Sequence, residues 1–355
     1  MISFARGAPA LECLDAELLA DCARTAIEAD PSVLAYCAGG GYAPFRESLA
    51  GRHGVDPGRV LLTTGGLQGF VFYSEELLAF RPGRVLVEAP TYDRPLKILA
   101  RLGADVVPIQ MDDEGLDPDA LERELGAGET SFLYTIPTFQ NPSGRTLSTE
   151  RRRRVVELAA AHGVPVLEDD PYGLVRYEGE SPPSLFDLDG GTLVTYASSF
   201  SKTAAPGLRV GWFVAPAELA ARIEARAVST YISPPFVTQA TVHELIERGA
   251  FEPNLERIRG LLKDRRDAML AALDRELTGR ATWSKPEGGY FVWADLPDDT
   301  ADLLQRAEDA GVTFVKGSDF FPNGAGERSA RLAFSYASSS EIDSGVSTLA
   351  SLLRV

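Results

Sequence analysis

Short apolar runs and amphipathic stretches alternate along the chain between residues 60 and 215. Runs of this length with many β-branched residues predict strands, and the stretches between them have the period of helices. Such alternation is typical of a mostly parallel sheet with helices on both faces, so it predicts one large α/β domain with seven strands. The predicted strands cover residues 60–64, 84–88, 105–110, 131–136, 165–168, 193–197 and 210–214, and helices are predicted at 67–79, 94–102, 117–125 and 149–162.

The pattern changes after Pro234-Pro235. A long helical stretch is followed by short strand patterns near residues 290–293, 312–315 and 331–334, which predicts a smaller α+β domain. The first 35 residues have no strong strand pattern, and we expect them to pack with this smaller domain. The predicted division is an N-terminal segment at 1–35, a large domain at 36–245 and a small C-terminal domain at 246–355.

Composition excludes several classes of protein. No apolar run approaches the ~20 residues of a membrane helix, and the N-terminus lacks the basic start and apolar stretch of a secretory signal, so we expect a cytoplasmic protein. The three cysteines form no CxxC pair and have no histidine at ligand spacing, so no metal site is predicted. A net charge of -16 would repel a phosphate backbone, which argues against nucleic acid as a partner.

Lysine is scarce, and a lysine at a strand end is the first candidate for chemistry. In open α/β sheets, ligands bind beyond the carboxyl ends of the strands, where only Lys202 and Lys316 of the five lysines are expected. Lys202 has the richer surroundings, because the hydroxyls of Ser199 and Ser201 and the guanidinium of Arg209 can converge on one phosphate. A lysine beside an anion site can attack an aldehyde. The alternative is an ordinary surface-loop lysine.

Other polar or aromatic residues also follow predicted strands. Asp169, in Glu168-Asp169-Asp170, can pair with a protonated ring nitrogen, although Asp-Asp-Pro also forms turns. The Asn141 amide can donate to a phenolate oxygen, or simply belong to an Asn-Pro-Ser-Gly turn. Tyr92 is either a ring that stacks on a ligand or a core aromatic, and Arg331 either grips a carboxylate or faces solvent from an edge strand.

The segment Thr63-Thr64-Gly65-Gly66-Leu67-Gln68 ends a strand and begins a helix. Free backbone N–H groups at such a junction hold anions. The segment lacks the Lys-Ser/Thr pair of a P-loop and the glycine spacing of a dinucleotide fingerprint, so ATP and NAD are poorly supported as ligands.

Taken in order and spacing, these segments resemble the class I/II aminotransferases, which are pyridoxal 5'-phosphate (PLP) enzymes of fold type I, and above all the branch of 2-aminoadipate and kynurenine aminotransferases. The resemblance extends from residues 34–36 and 41–46 through 286–293 to Arg331. It implies that PLP forms a Schiff base with Lys202, that Asp169 pairs with the pyridine nitrogen, and that Tyr92 stacks on the ring. These three residues would carry the catalytic roles.

The resemblance also implies the remaining contacts. Asn141 and Tyr172 would donate to the ring's O3' oxygen, and the phosphate would be held by the amides of Gly66 and Leu67 with Ser199, Ser201 and Arg209. Tyr36 would reach the phosphate of a neighbouring subunit, which implies a homodimer with active sites at the subunit interface. Arg331 and Asn141 would bind the substrate carboxylate, with Gly39 or Gly40 close by. Gly66 and Leu67 depart from the branch, where a small polar residue and Gln are usual.

The function implied by the resemblance is transfer of an amino group from an L-amino acid to a 2-oxo acid by a ping-pong mechanism. Lys202 would move the α-proton in each half-reaction. The same fold supports elimination, cyclisation or oxidation of an amino acid, and a non-catalytic PLP-binding sensor is a further alternative. A carboxylate grip by Arg331 disfavours decarboxylation, and the identity of the amino donor stays open.

Overall fold

A mixed eight-stranded sheet organises the larger part of the molecule in the computed structural model, which describes residues 1–36 and 38–354. The strands are β1 (Ile2–Ser3), β2 (Val60–Thr63), β3 (Arg84–Ala89), β4 (Val106–Asp112), β5 (Gly115–Leu116), β6 (Thr130–Thr135), β7 (Val166–Asp169), β8 (Val194–Ser199), β9 (Gly211–Val214), β10 (Thr282–Trp283), β11 (Phe291–Asp295), β12 (Val312–Thr313), β13 (Val315–Lys316) and β14 (Ser329–Ala333).

Helices surround the sheets. They are α1 (Ala16–Ala29), α2 (Ala43–His53), α3 (Gly66–Phe80), α4 (Asp93–Arg101), α5 (Pro118–Ala127), α6 (Thr149–His162), α7 (Leu185–Asp189), α8 (Ala217–Tyr231), α9 (Phe236–Glu247), α10 (Phe251–Leu277), α11 (Thr300–Asp309) and α12 (Ser339–Leu352). Short 3-10 helices occur at Leu11–Cys13, Pro31–Leu34, Pro57–Arg59, Pro206–Leu208 and Gly317–Phe320. No helix within the described ranges is long and apolar enough to cross a membrane.

The large sheet has the strand order β2-β9-β8-β7-β6-β3-β4-β5. The β3–β4, β3–β6, β6–β7 and β7–β8 pairs are parallel, whereas β9 runs antiparallel to both of its neighbours. All seven predicted strands are present, so the predicted fold class is confirmed, but the predicted number of strands is wrong by one. The additional strand, β5, has only two residues and pairs with the end of β4 across a tight turn, which is too short to leave a period in the sequence.

Alternation along the strands divides the core between the two faces of the sheet. Leu86, Leu133 and Val166 pack in the cluster on one face, whereas the residues that follow them, Val87, Tyr134 and Leu167, pack in the cluster on the other. Successive side chains in a strand point to opposite faces. Asp169 therefore shares a face with Leu167 and Tyr134, and Glu168 lies on the opposite face.

A second, four-stranded antiparallel sheet, with the order β10-β11-β14-β13, lies in the C-terminal part of the chain, where α10 and α12 pack against each other. The N-terminal segment contacts both parts, because β1 pairs with β12 in parallel while α1 packs along α9. The domain boundaries at 1–35, 36–245 and 246–355 stay a prediction. The pairing of β1 has a consequence for the active site, since it brings the residues just after β1 next to β14.

Candidate active site

A cavity of about 330 Å³ lies at the carboxyl ends of the strands of the large sheet. The predicted residues that line it are Gly66, Leu67, Tyr92, Asn141, Asp169, Tyr172, Ser199, Ser201, Lys202, Arg209 and Arg331. Ala5, Gly7 and Phe291 complete the wall on the side of the second sheet. A larger groove of about 670 Å³ lies behind the Asn141 turn, between residues 144–149 and 282–287, and none of the predicted site residues lines it.

Lys202 follows β8 and points into the cavity, where its Nζ donates a hydrogen bond to the Gly7 carbonyl oxygen at 2.8 Å. The Tyr290 hydroxyl donates to the Lys202 carbonyl oxygen at 3.0 Å, which fixes the backbone of this residue. Burial, together with the positive charges of Arg331 and Arg209, lowers the pKa of the Lys202 ammonium to about 8. The amine is therefore close to the uncharged form that a nucleophile or a base requires.

Asp169 is the last residue of β7, and its Oδ2 accepts a hydrogen bond of 2.8 Å from the Tyr134 hydroxyl. Burial raises the pKa of this carboxyl to about 7, and the nearby Asp170 and Glu88 act in the same direction. The Tyr134 hydrogen bond opposes the rise. A cationic partner in contact with this buried carboxylate would stabilise its ionised form.

The two acids beside Asp169 point away from the cavity. Glu168 accepts hydrogen bonds from the backbone amides of Leu185 and Phe186 at the start of α7, and it lies 3.7 Å from Arg152. Asp170 accepts from the Tyr196 hydroxyl at 3.0 Å. Of the three consecutive acids, only Asp169 lines the cavity.

A polar cradle lies at one end of the cavity, where β8, β9 and the start of α3 meet. The Ser199 hydroxyl donates to Ser201 Oγ at 2.8 Å, and Arg209 Nη1 donates to Ser201 Oγ at 3.3 Å. The first amides of α3 have no acceptor within the helix, and no side chain caps this end. These hydroxyl, guanidinium and amide donors suit a phosphate.

Close backbone contacts shape this cradle. A Cβ on Gly211 would lie 2.7 Å from the Gly66 amide nitrogen, and a Cβ on Gly65 would lie 2.2 Å from Arg209 Nη2. Gly65 has a φ of 79°, in the region that disfavours side chains. The start of α3 therefore approaches β9 and Arg209 only because both positions lack a side chain.

Arg331 lies on β14 at the opposite wall and is only 7% exposed. Its Nη1 donates to Asn141 Oδ1 at 3.0 Å, its Nη2 donates to the Ala5 carbonyl oxygen at 2.7 Å, and its Nε has no partner among the described residues. No carboxylate oxygen lies within 4.0 Å of it in the ranges 1–36 and 38–354. A buried guanidinium without an acid is costly, so this arrangement suits an anionic ligand.

Aromatic side chains form the remaining walls. Tyr172 and Asn141 line the cavity together, and the centre of the Phe291 ring lies 4.3 Å from the Arg331 guanidinium carbon. Tyr92 lines the cavity just before α4, and burial raises the pKa of its hydroxyl to about 12, so the phenol stays protonated at neutral pH.

Three predicted residues lie elsewhere. Tyr36 is 85% exposed and does not line the cavity of its own chain. Gly39 and Gly40 lie against Val228 and Arg46 and do not line the cavity of their own chain, so their place near the Arg331 guanidinium stays a prediction. Gly7 lies beside Arg331, because a Cβ on Gly7 would lie 2.7 Å from the Phe291 ring and 3.9 Å from Arg331 Nη2.

Several functional residues were missed at the sequence level. The contacts of Ala5 and Gly7 depend on the pairing of the two-residue strand β1, which no periodicity announces. Tyr134 was detectable from the strand pattern. It lies on β6 opposite Leu167 of β7, and Leu167 points to the same face as Asp169, two residues later.

Comparison with known proteins agrees with this geometry. The model of the family described as "Aminotransferase class I and II" matches residues 1–349. The chain belongs to the class I and II aminotransferases. Amino-group transfer between an amino acid and a 2-oxo acid follows from this membership, and the predictions of family, fold type and reaction are confirmed.

Individual relatives are similar over almost their whole length. The 2-aminoadipate transaminase of Thermus thermophilus is 36% identical over 360 residues, which cover 100% of this chain and 90% of that protein. Aromatic-amino-acid aminotransferase 1 of Thermococcus litoralis is 35% identical, with 100% and 88% covered. The crystal structure of the α-aminoadipate aminotransferase LysN from Thermus thermophilus, complexed with N-(5'-phosphopyridoxyl)-L-leucine, superposes with a TM-score of 0.94 at 36% identity, over 99% of this chain and 92% of that one.

Proposed function

We propose that this aminotransferase uses PLP bound to Lys202, Asp169 and the Ser199–Ser201–Arg209 cradle, and takes the α-carboxylate of its substrates on Arg331. The observation that carries the proposal is that one cavity contains a lysine with a lowered pKa, a buried acid, a cradle of anion donors and a guanidinium, and that within residues 1–36 and 38–354 neither the acid nor the guanidinium has an oppositely charged atom within 4.0 Å. PLP would supply the aldehyde, the phosphate and the ring nitrogen that suit the first three groups, and an amino acid would supply the carboxylate that suits the guanidinium.

The donor chemistry fits PLP at both ends of the cavity. The phosphate corresponds to the hydroxyls of Ser199 and Ser201, Arg209 and the first amides of α3, where the glycines at 65 and 211 leave no room for side chains. The PLP aldehyde would react with the Lys202 amine, and the ring nitrogen would pair with Asp169 at the end of β7. PLP supplies the electron sink that stabilises negative charge on the substrate's α-carbon.

Lys202 is the group that moves the proton. With a pKa near 8, its amine accepts a proton from the substrate's α-carbon at neutral pH and can return it, so the same side chain acts as base and then as acid. Asp169, held by the Tyr134 hydroxyl, provides the negative charge that keeps a ring nitrogen protonated. Tyr92 provides an aromatic wall for a flat ring, and Asn141 and Tyr172 provide donors for its phenolic oxygen.

Arg331 orients the substrate. A guanidinium offers two parallel N–H donors to a carboxylate, and its position is fixed by Asn141 on one side and by the Ala5 carbonyl on the other. A carboxylate held in this way is retained through the reaction, which favours transfer over decarboxylation. Elimination, cyclisation and oxidation also retain the carboxylate, so the products must separate them from transfer.

The exposed position of Tyr36 supports a homodimer. Leu34 and Tyr36 are exposed on one segment, and Val228 and Ile232 are exposed at the end of α8, beside Gly39. We infer that a second copy covers this apolar surface, with Tyr36 reaching the cradle of the partner. The cytoplasmic location predicted from the sequence stays a prediction.

The test of function follows the nitrogen atom. The protein supplied with PLP is incubated with single ¹⁵N-labelled L-amino acids and a panel of 2-oxo acids, and mass spectrometry measures label in the newly formed amino acid. We expect label in the product with one donor–acceptor pair at least. Turnover that releases the label as ammonium would refute transfer and support elimination or oxidation instead.

A further inference from the structure

Glu88 is a buried carboxylate that none of these chemical steps uses. It is 2% exposed at the end of β3, and its side chain does not line the Lys202 cavity. It accepts three hydrogen bonds: from Thr135 Oγ1 at 2.6 Å, from the Ile136 amide at 3.1 Å and from Gln140 Nε2 at 3.0 Å. No Lys or Arg nitrogen of the described residues lies within 4.0 Å of it. Burial of an acid costs free energy that its hydrogen bonds must offset, so these three bonds are the interactions that keep Glu88 in this place.

Gln140 carries the contact from Glu88 to two loops. Its Nε2 donates to Glu88 and also to the Pro90 carbonyl oxygen at 2.7 Å, two residues before Tyr92. Its Oε1 accepts from the Ser143 amide at 2.8 Å, which closes the turn that begins with Asn141. Every donor and acceptor of this side chain amide faces a partner, so the pair joins the Tyr92 loop to the Asn141 turn.

We propose that Glu88 and Gln140 are positioning residues that hold the Tyr92 loop and the Asn141 turn at one spacing, and that they thereby set the orientation of the Arg331 guanidinium. The last link is the bond of 3.0 Å from Arg331 Nη1 to Asn141 Oδ1. The inference rests on the proposed function for the roles of Tyr92, Asn141 and Arg331, but the hydrogen bonds that it concerns belong to this chain alone.

Glu168 provides a matched control. It is also a buried carboxylate near the end of a strand, 1% exposed, and it also accepts hydrogen bonds from backbone amides. Its partners are the backbone amides of Leu185 and Phe186 at the start of α7 and the Arg152 guanidinium 3.7 Å away, on the face of the sheet away from Asp169. Glu168→Leu therefore tests what the loss of a buried acid does to the protein in general.

Hydrogen–deuterium exchange of the full chain tests the Glu88–Gln140 hydrogen bonds directly. A glutamine at position 88 can keep its carbonyl oxygen towards Ile136 and Gln140, so the test uses Glu88→Leu, which removes both acceptor oxygens. In Glu88→Leu we expect the amides of Ile136, Ser143 and Gly144 to exchange at least about tenfold faster, while those of Leu185 and Phe186 are unchanged. Glu168→Leu should give the reverse pattern. Equal acceleration of residues 143–144 in both variants, or none in Glu88→Leu, would overturn the proposal. Should Glu88→Leu not fold, Gln140→Met removes the same bridge and must accelerate Ser143.

Kinetics then test the effect on Arg331. We expect KM for the amino acid to rise about tenfold in Gln140→Met with kcat changed by less than about threefold, because substrate carboxylate binding depends on the guanidinium orientation. Glu168→Leu should leave KM unchanged, and an unchanged KM in Gln140→Met would contradict the positioning role. Failure of the wild-type protein to transfer nitrogen would refute the proposed function. The exchange pattern would still decide whether Glu88 and Gln140 hold the two loops together.

Discussion

Substitution of Arg331 by lysine separates a carboxylate-binding arginine from a structural one. The guanidinium uses Nη1 for Asn141 and Nη2 for Ala5, and these two contacts hold its plane in the cavity wall. A lysine ammonium is a single point charge on a flexible stem, so it cannot keep both contacts and also offer two parallel donors to a carboxylate. Loss of one hydrogen bond to a charged group costs about 1.5–3 kcal/mol, which predicts a decrease in kcat/KM of roughly 10- to 150-fold.

The assay is single-turnover spectroscopy of the PLP-loaded enzyme with its amino donor, which gives kcat/KM for one half-reaction. Arg266→Lys is the matched control, because Arg266 is also buried and donates to the Pro286 carbonyl oxygen at 2.7 Å and to Glu178 at 2.7 Å, but does not line the cavity. We expect the control to retain kcat/KM within about threefold. Comparable losses in both variants would refute the assignment of the carboxylate site to Arg331.

The thermal stability of the protein tests the role of Arg331 independently of kinetics. Arg331 is buried without an acid among the described residues, so its charge costs free energy that the fold does not recover. Arg331→Met removes this charge and keeps much of the volume. We expect the Tm of the protein to stay within a few degrees or rise, while turnover is lost. A large fall in Tm would show that the guanidinium is mainly structural.

Three further predictions follow from the site. Burial raises the pKa of Asp169 from 3.8 to about 7, so the folded protein binds this proton more tightly than the unfolded chain and loses stability as pH rises from about 4 to 7. Asp169→Asn removes the carboxyl, so calorimetry of the protein without PLP should show a larger rise in Tm at pH 8 than at pH 5. Tyr134→Phe removes the hydrogen bond that favours the ionised form of Asp169, and should shift the acid limb of the pH–rate profile to higher pH. An acid limb at unchanged pH would exclude this role of Tyr134. Gly211→Ala places a Cβ 2.7 Å from the Gly66 amide and should weaken PLP binding at least about tenfold by equilibrium dialysis, whereas Gly207→Ala, where a Cβ meets nothing within 4 Å, should not.

The sequence was sufficient to predict residues whose position follows from strand periodicity. Asp169 ends a strand of the large sheet and Lys202 and Asn141 follow strands, and parallel strands bring their carboxyl ends to one edge. Arg331 was predicted because a charged residue interrupts an apolar strand. The roles of these residues were implied by a family resemblance, since the spacing alone also allowed turns, caps and an edge-strand arginine.

Contacts between distant segments were less predictable. The Gly7 carbonyl reaches Lys202 only because β1 pairs with β12, and a two-residue strand has no detectable pattern. Gly39 and Gly40 have Val228 and Arg46 as neighbours within this chain, and their place near Arg331 stays a prediction. The Glu88–Gln140 contact joins residues 52 positions apart, and it depends on the register of β3 beside β6. Such contacts are set by tertiary packing and not by local sequence.

The covalent bond to Lys202 is the central claim, and it can be measured directly. The PLP-loaded protein is treated with borohydride, digested and mapped by mass spectrometry. We predict a stable phosphopyridoxyl group on the peptide that contains Lys202 and none on Lys316, which also lies at the end of a strand but whose Nζ is paired with Asp319 at 2.9 Å. A label on Lys316, or an unlabelled Lys202 in protein that retains PLP, would contradict the account.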